Sequence, residues 1–301
     1  MSTGTTVTPP ASGDTARGMA FAVAAYGLWG FLPLYLKLLD HVDPVEVVAH
    51  RILWSVPVAG LVLVALGRTA DLRAALRDPR ALALAAVTAA LVTLNWSIYV
   101  VAIATERTID AALGYYINPL FSMFLGWLLL GERLSRLQTV AVALAALAVA
   151  VLTLEAGGIP IIALGLTVTW GFYAYAKRSL PIGPNQGFLL EVLILSPVAL
   201  GYVAWVQATG TGQFLSGGAG QVALFVGLGA VTAIPLMLYA NGAKGLTLST
   251  IAILQFIAPT MIFLVAVFVF GEEIGRARAI AFPLIWAALG LYVWAMWRKR
   301  A

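Results

Sequence analysis

Glu46, His50 and Arg51 fall within six positions of one another in a stretch, PVEVVAHRILWSVPVAG, that is otherwise apolar. On a helix, Glu46, His50, Trp54 and Pro57 share one face with Arg51 beside them. Charges at mid-helix in a bilayer cost roughly 2.5 to 3.5 kcal/mol each, less near a helix end. Two readings follow. Glu46 pairs with His50 at i+4 or with Arg51, and the cluster neutralises itself and anchors a helix end, or the cluster gates a mouth or takes up a proton. About 140 residues on, near the position equivalent to His50, Glu191 is the lone acid of a long apolar run. It is either a proton carrier or a hydrogen-bonded structural acid, since an isolated carboxylate in hydrocarbon is costly.

Enzymatic chemistry has less to work with. The chain has no cysteine, which excludes disulfides, thiolate metal sites and cysteine nucleophiles, and it has two histidines without HExxH. There is no GxSG serine, no pair of aspartates at membrane depth and no GxxxxGK[ST] phosphate loop. The chain is expected not to be an enzyme, with no cofactor, no metal and no direct use of ATP.

Uncharged polar and aromatic residues form stripes at helical spacing. Tyr26, Gly30, Pro33 and Lys37 align at i, i+4, i+7 and i+11, as do Asn95, Tyr99, Ala102 and Glu106. Further stripes hold Tyr115, Asn118-Pro119 and Ser122; Trp170, Tyr173 and Lys177; Pro235, Tyr239 and Gly242; and Gln255 with Pro259. In lipid such stripes must face protein or a water-filled cavity. Tyr26, Trp29, Tyr99, Tyr115, Tyr116, Trp170, Tyr173 and Tyr239 would offer stacking surface there. Asn95, Asn118, Asn241 and Gln255 would orient polar groups, with Lys37 at the end of its stripe. Pro119 and Pro259 each remove a backbone donor within a span, which predicts bends that either serve packing or act as gates. Gly30 and Gly171, beside Trp29 and Trp170, either let helices approach closely or admit a solute against an indole.

The elements that must carry these stripes follow from composition. Of 301 residues 61% are hydrophobic and 10% charged, and the mean hydropathy is +0.95, whereas about a quarter of a soluble domain is charged. This is the composition of an all-α polytopic membrane protein. The net charge of +5 sits in short clusters between apolar runs, which argues against a nucleic-acid partner. Ten spans are expected, near 18–39, 44–66, 81–104, 109–130, 137–154, 159–178, 185–207, 220–243, 248–270 and 278–297. The spans at 137–154 and 278–297 lack polar stripes and are expected against lipid. Residues 1–17 form a Thr, Pro and Gly rich tail, expected to be disordered.

The run from Asn95 to Glu132 returns in degenerate form between Pro235 and Glu272. Tyr99 falls on Tyr239, Ala112 on Ala252, Ile117 on Ile257, Pro119 on Pro259 and Gly131-Glu132 on Gly271-Glu272. Likewise Trp29-Gly30-Phe31 with Lys37 recurs as Trp170-Gly171-Phe172 with Arg178. Two five-helix repeats are expected, 18–155 and 156–298. With the N-terminus inside, the cytoplasmic side would hold Arg17, Arg68, Arg73, Arg77, Arg80, Arg133, Arg136, Lys177, Arg178, Lys244, Arg298, Lys299 and Arg300. Opposite them stand Lys37, Arg107, Arg276 and Arg278, a ratio of 13 to four. Both termini are then cytoplasmic, and an odd number of spans per half inverts the second repeat.

The segments YGLWGFLPLYLKLL with PVEVVAHRILWS, Asn95 to Leu134, and QFIAPTMIFLVAVFVFGE resemble the RarD family of EamA-type permeases in the drug/metabolite transporter superfamily, over nearly all of residues 19 to 298. The resemblance implies ten helices as two inverted repeats, a plasma-membrane location and small-molecule transport. Within it, the HRILWS motif corresponds to His50–Ser55 and the GYYINP motif to Gly114–Pro119. The expectation is a secondary transporter that moves a small amphipathic or aromatic metabolite or drug by alternating access. Its partners would be that solute, membrane lipid and, if Glu46, His50, Arg51 or Glu191 couple transport, protons. The competing expectation is a membrane scaffold that transports nothing.

Overall fold

The computed structural model describes residues 15–67, 69–130, 134–155, 159–242, 245–246 and 248–298, and among these every regular element is helical. Residues 1–14 of the tail, Gly131-Glu132, the boundary at 156–158, and Arg68, Arg133, Lys244, Lys299 and Arg300 of the orientation count lie outside the described residues. The elements are α1 Ala16–Lys37, α2 Pro44–Ala65, α3 Thr69–Ala75, α4 Pro79–Ala104, α5 Thr108–Leu130, α6 Arg136–Glu155, α7 Ile161–Arg178, α8 Pro184–Ala208, α9 Gly218–Gly242, α10 Leu248–Leu254, α11 Ile257–Leu264 and α12 Arg276–Arg298. Eight of them, α1, α2, α4, α5, α6, α8, α9 and α12, are long and apolar enough to cross a bilayer. The chain is an all-α polytopic membrane protein.

Helix starts follow local chemistry. Asp43 and Asp78 accept hydrogen bonds from the amides of Val45 and Arg80, at 2.8 and 2.9 Å, and each precedes a proline at the first helical position, where no amide partner is lost. The chain departs from expectation at both ends of the first repeat's opening. Helix α1 begins at Ala16, so Ala16 and Arg17 belong to the helix and not to the tail, and the 66–80 connection contains the short helix α3. A larger departure is the expected span 248–270, which breaks. It consists of α10, a turn at Gln255-Phe256, α11 and a π turn at Val265–Val269.

Helix α1 packs on α9 and α11, while α7 packs on α4 and α5; α2 lies against α8 and α9, and α6 against α12. One large apolar cluster joins α1, α2, α4, α7, α8 and α9, and a second joins α5, α6, α11 and α12. Helices α6 and α12 are the least buried of the eight, at 22% and 28% against 39% or more in the rest. They sit at the periphery. At one end of the bundle the Glu272 carboxylate accepts from the amides of Thr108 and Ile109, at 2.7 and 2.9 Å, and so caps α5 from the far end of the chain. Gly271 permits the turn that delivers it, with φ of 69°. Beside it Asp110 bridges Arg107 and Arg278.

Candidate functional site

A cavity of about 880 Å³, its mouth included, lies where α1, α2, α4, α5, α7, α9 and the α10–α11 break converge. Its size is that of a small-molecule site. Tyr26, Trp29 and Tyr239 form one wall, a triangle of rings with centroids 5.6 to 5.8 Å apart. Tyr99 and Tyr115, 5.6 Å apart, face it with Trp96 and Trp170. Asn118, Thr232, Gln255 and Arg51 supply the polar lining, and Leu32, Leu236, Ala258, Pro259 and Ile262 complete it.

Arg51 is 3% exposed although it lines this cavity. Its Nε–H donates to Thr232 Oγ1 at 3.1 Å, its guanidinium carbon lies 4.9 Å from the Trp96 ring centroid, and its Nη1 has no hydrogen-bond partner. Pairing within the Glu46, His50 and Arg51 cluster does not occur. Glu46 instead accepts from the amides of Gln213 and Phe214, at 2.8 to 3.1 Å, holding the loop between α8 and α9. A carboxylate at the first turn of α2 meets that loop before it can reach a residue one turn deeper. His50 accepts from the Trp54 indole at 3.2 Å and packs between Phe214 and Phe225, outside the cavity.

Of the residues expected to face a cavity, Tyr26, Trp29, Asn95, Tyr99, Tyr115, Asn118, Trp170, Tyr239 and Gln255 come together around it. Asn95 is spent structurally. Its amide donates to Leu166 O and Thr169 Oγ1, and its oxygen accepts from the Tyr115 hydroxyl at 3.3 Å, so it ties α4 to α7 and aims Tyr115. Four others do not line the cavity. Lys37 pairs with Asp40 and Glu106 at the bundle end, at 3.2 and 3.6 Å. Tyr116 points the other way, bonding Thr260 at 2.7 Å and packing among Phe256, Phe282 and Trp286. Asn241 donates to Met237 O of its own helix. Tyr173 donates to Glu191.

Glu191 is fully buried but is not solitary, because Lys177 reaches across from α7 to form an ion pair with it. The apolar run around Glu191 hid that partner, which lies on another helix. Pro119 sits within the unbroken α5, away from the cavity, whereas Pro259 lines the cavity in the first turn of α11, just after the break. The bend expected in the earlier of these spans is therefore not a break, while the later one is. Gly30 and Gly171 serve packing: a Cβ on the first would overlap Met261 and on the second Phe121. Trp96 and Thr232 escaped the sequence reading. Thr232 extends the Pro235 and Tyr239 stripe by one turn, a signal that was present, while Trp96 is recognisable only once Arg51 stacks on it. Among the described residues no three His, Asp or Glu gather to hold a metal ion.

The EamA-like transporter family matches residues 16–154. Along nearly the whole chain, the protein is 40% identical to Protein RarD of Streptomyces exfoliatus, over 94% of this chain and 90% of that one. It is 38% identical to an uncharacterized transporter of Vibrio cholerae, over 94% of each chain. Protein RarD of Escherichia coli is 34% identical, over 93% of this chain and 95% of its own. A crystal structure with 22% identity superposes with a TM-score of 0.60, over 95% of this chain and 99% of the other, and so shares the fold.

Proposed function

The chain belongs to the RarD group of EamA-type permeases, and from that premise we propose that this membrane transporter is a secondary carrier of small amphipathic or aromatic solutes, working by alternating access at the plasma membrane. The observation that carries the reading is the aromatic cavity, which draws Tyr26, Trp29, Tyr99 and Tyr115 from the first half of the chain and Trp170, Tyr239 and Gln255 from the second. A solute site at the joint of two repeats is what alternating access requires, since each half can rock about it.

Ten spans as two inverted repeats fit the same reading: the eight long helices, α7, and the α10–α11 segment as a broken span. Support comes from the packing, in which α1 on α9 and α11 corresponds to α7 on α4 and α5. Cytoplasmic termini are supported by the basic-residue asymmetry. Lys37, Arg107 and Arg278, of the outward group, join one another's neighbourhood through Glu106 and Asp110. The relatives are transporters or transporter-like by name, and the cavity offers binding surface without a nucleophile and base in reach of each other, so the carrier is read as non-enzymatic.

The test is counterflow. The purified chain, reconstituted in liposomes loaded with one member of a panel of aromatic acids, amides and amphenicols, is expected to exchange it for external labelled solute and to unfold at a higher temperature in its presence. A folded chain inert to the whole panel in both measurements would be a scaffold.

A further inference from the structure

Arg51 is a cation without a counter-charge. Among the described residues no carboxylate pairs with it, and among those that line the cavity it is the only one with a formal charge. A buried guanidinium left unpaired is costly, and in native structures such a group is met by an anion or by hydrogen-bond acceptors that satisfy its five N–H donors. Here Thr232 takes one donor and the Trp96 face takes part of the charge, while Nη1 remains open at the cavity wall. The second repeat handles the matching position differently. Glu191, 140 residues after Arg51, is buried on α8 and answered by Lys177. One half carries a closed ion pair and the other an open cation.

We propose that Arg51 is the carboxylate-binding residue of the cavity and that the transported solute is an aromatic or apolar monocarboxylate. The planar guanidinium fork suits a carboxylate, which it can meet with two parallel N–H donors. The Tyr99 hydroxyl, buried on the same cavity wall and also without a partner, adds a further donor to the anion. The solute's body then lies across the cavity against Trp29 and Tyr239, whose ring faces need no polar match. One cation and no anion in the lining argue for a single negative charge. A phosphate dianion would be left half neutralised, and the ammonium of an amino acid would find no carboxylate. This inference rests on the carrier reading only in taking the cavity as the solute site.

Isothermal titration of the detergent-purified full chain tests it with matched pairs, 3-phenylpropionate against 3-phenylpropionamide and indole-3-acetate against indole-3-acetamide, with phenylalanine as the zwitterion. The acids are expected to bind about ten- to hundredfold more tightly than their amides and than phenylalanine. Arg51→Gln is expected to abolish that preference while amide affinity changes by no more than about twofold, and Arg51→Lys to restore part of it. The comparison of acids with amides on the unaltered chain stands even if a variant fails to fold. Equal affinity for acid and amide, or an acid preference that survives in Arg51→Gln, overturns the assignment and leaves the carrier reading untouched. Binding of neither series also overturns it, and the carrier reading falls with it only if counterflow across the broader panel fails too.

Discussion

Met261 lies over Gly30 so closely that a Cβ on the glycine would overlap the methionine side chain, and Phe121, 140 residues before Met261, lies over Gly171 in the same way. The two contacts join α1 to α11 and α7 to α5. Repeat-equivalent positions thus make equivalent contacts, and each depends on a missing side chain. Gly229 is tighter still, because what its Cβ would strike is the backbone carbonyl of Trp54 on α2.

The alanine series at these glycines should rank by how readily the neighbour can move. Gly30→Ala meets a flexible methionine and should cost about 1 kcal/mol, Gly171→Ala meets a phenyl ring and should cost more, and Gly229→Ala, against backbone, should reach about 3 kcal/mol. Thermal unfolding in detergent reads the order. A Gly229→Ala variant as stable as Gly30→Ala would mean that α2 and α9 are not packed as closely as described.

The absence of cysteine makes the proposed orientation easy to probe. Ala70 on α3 and Ser216 in the loop before α9 are both exposed. Single cysteines placed there should react with an impermeant thiol reagent from opposite faces of the membrane, Ala70→Cys from the cytoplasmic one. Reaction from the same face would contradict the inversion of the second repeat.

The ion pair of Glu191 with Lys177 should hold α8 to α7 as a unit. Glu191→Gln leaves the Lys177 ammonium, 20% exposed, without its counter-charge, and should lower stability by about 3 kcal/mol. Replacing both, Glu191→Leu with Lys177→Met, removes the orphan charge and should recover most of that loss. A double variant as unstable as the single one would show that the pair's charge is not what matters there. If the folded double variant also lost uptake driven by an imposed pH gradient, Glu191 would be a coupling group after all.

How far the sequence carried the site is visible residue by residue. Tyr26, Tyr99, Tyr115, Trp170 and Tyr239 were legible because a stripe at helical spacing in lipid has to face inward. Glu46 and Glu191 were misjudged because one helix's periodicity says nothing about what a neighbouring helix presents, here a loop amide and a lysine. Tyr116 was misjudged for a related reason: it adjoins Tyr115, and adjacent residues on a helix point about 100° apart. The break at Gln255-Phe256 left only Pro259 as its trace, and Pro119 leaves the same trace in a helix that does not break.

Glu46 yields a further prediction about the loop between α8 and α9. Its carboxylate accepts from two consecutive amides and thereby seats Phe214 against His50 and Phe225. Glu46→Gln keeps one acceptor oxygen but loses the charge that strengthens these bonds. Amide exchange at residues 213 and 214 should quicken by about tenfold, with little change in α2. Unchanged exchange would mean that the loop is held by its ring contacts alone.

The two prolines should respond differently when replaced, which their shared place in the repeat would not suggest. In α5 an alanine at 119 supplies an amide that can bond the Tyr115 carbonyl one turn earlier, so a continuous helix gains a bond it lacked. In the broken span an alanine at 259 supplies an amide aimed at the Gln255 carbonyl, which lies in the break itself, so the change favours joining α10 to α11. Since Gln255, Ala258, Pro259 and Ile262 all line the cavity, joining the segments should alter access to it, whereas Pro119→Ala should not. An Ile262→Cys reporter gives the measurement, as the rate of reaction with a small soluble thiol reagent. The expected result is a rate changed severalfold by Pro259→Ala and within about twofold of the parent for Pro119→Ala. Equal rates in all three proteins would reduce both prolines to packing residues and leave the break without a part in the opening of the cavity.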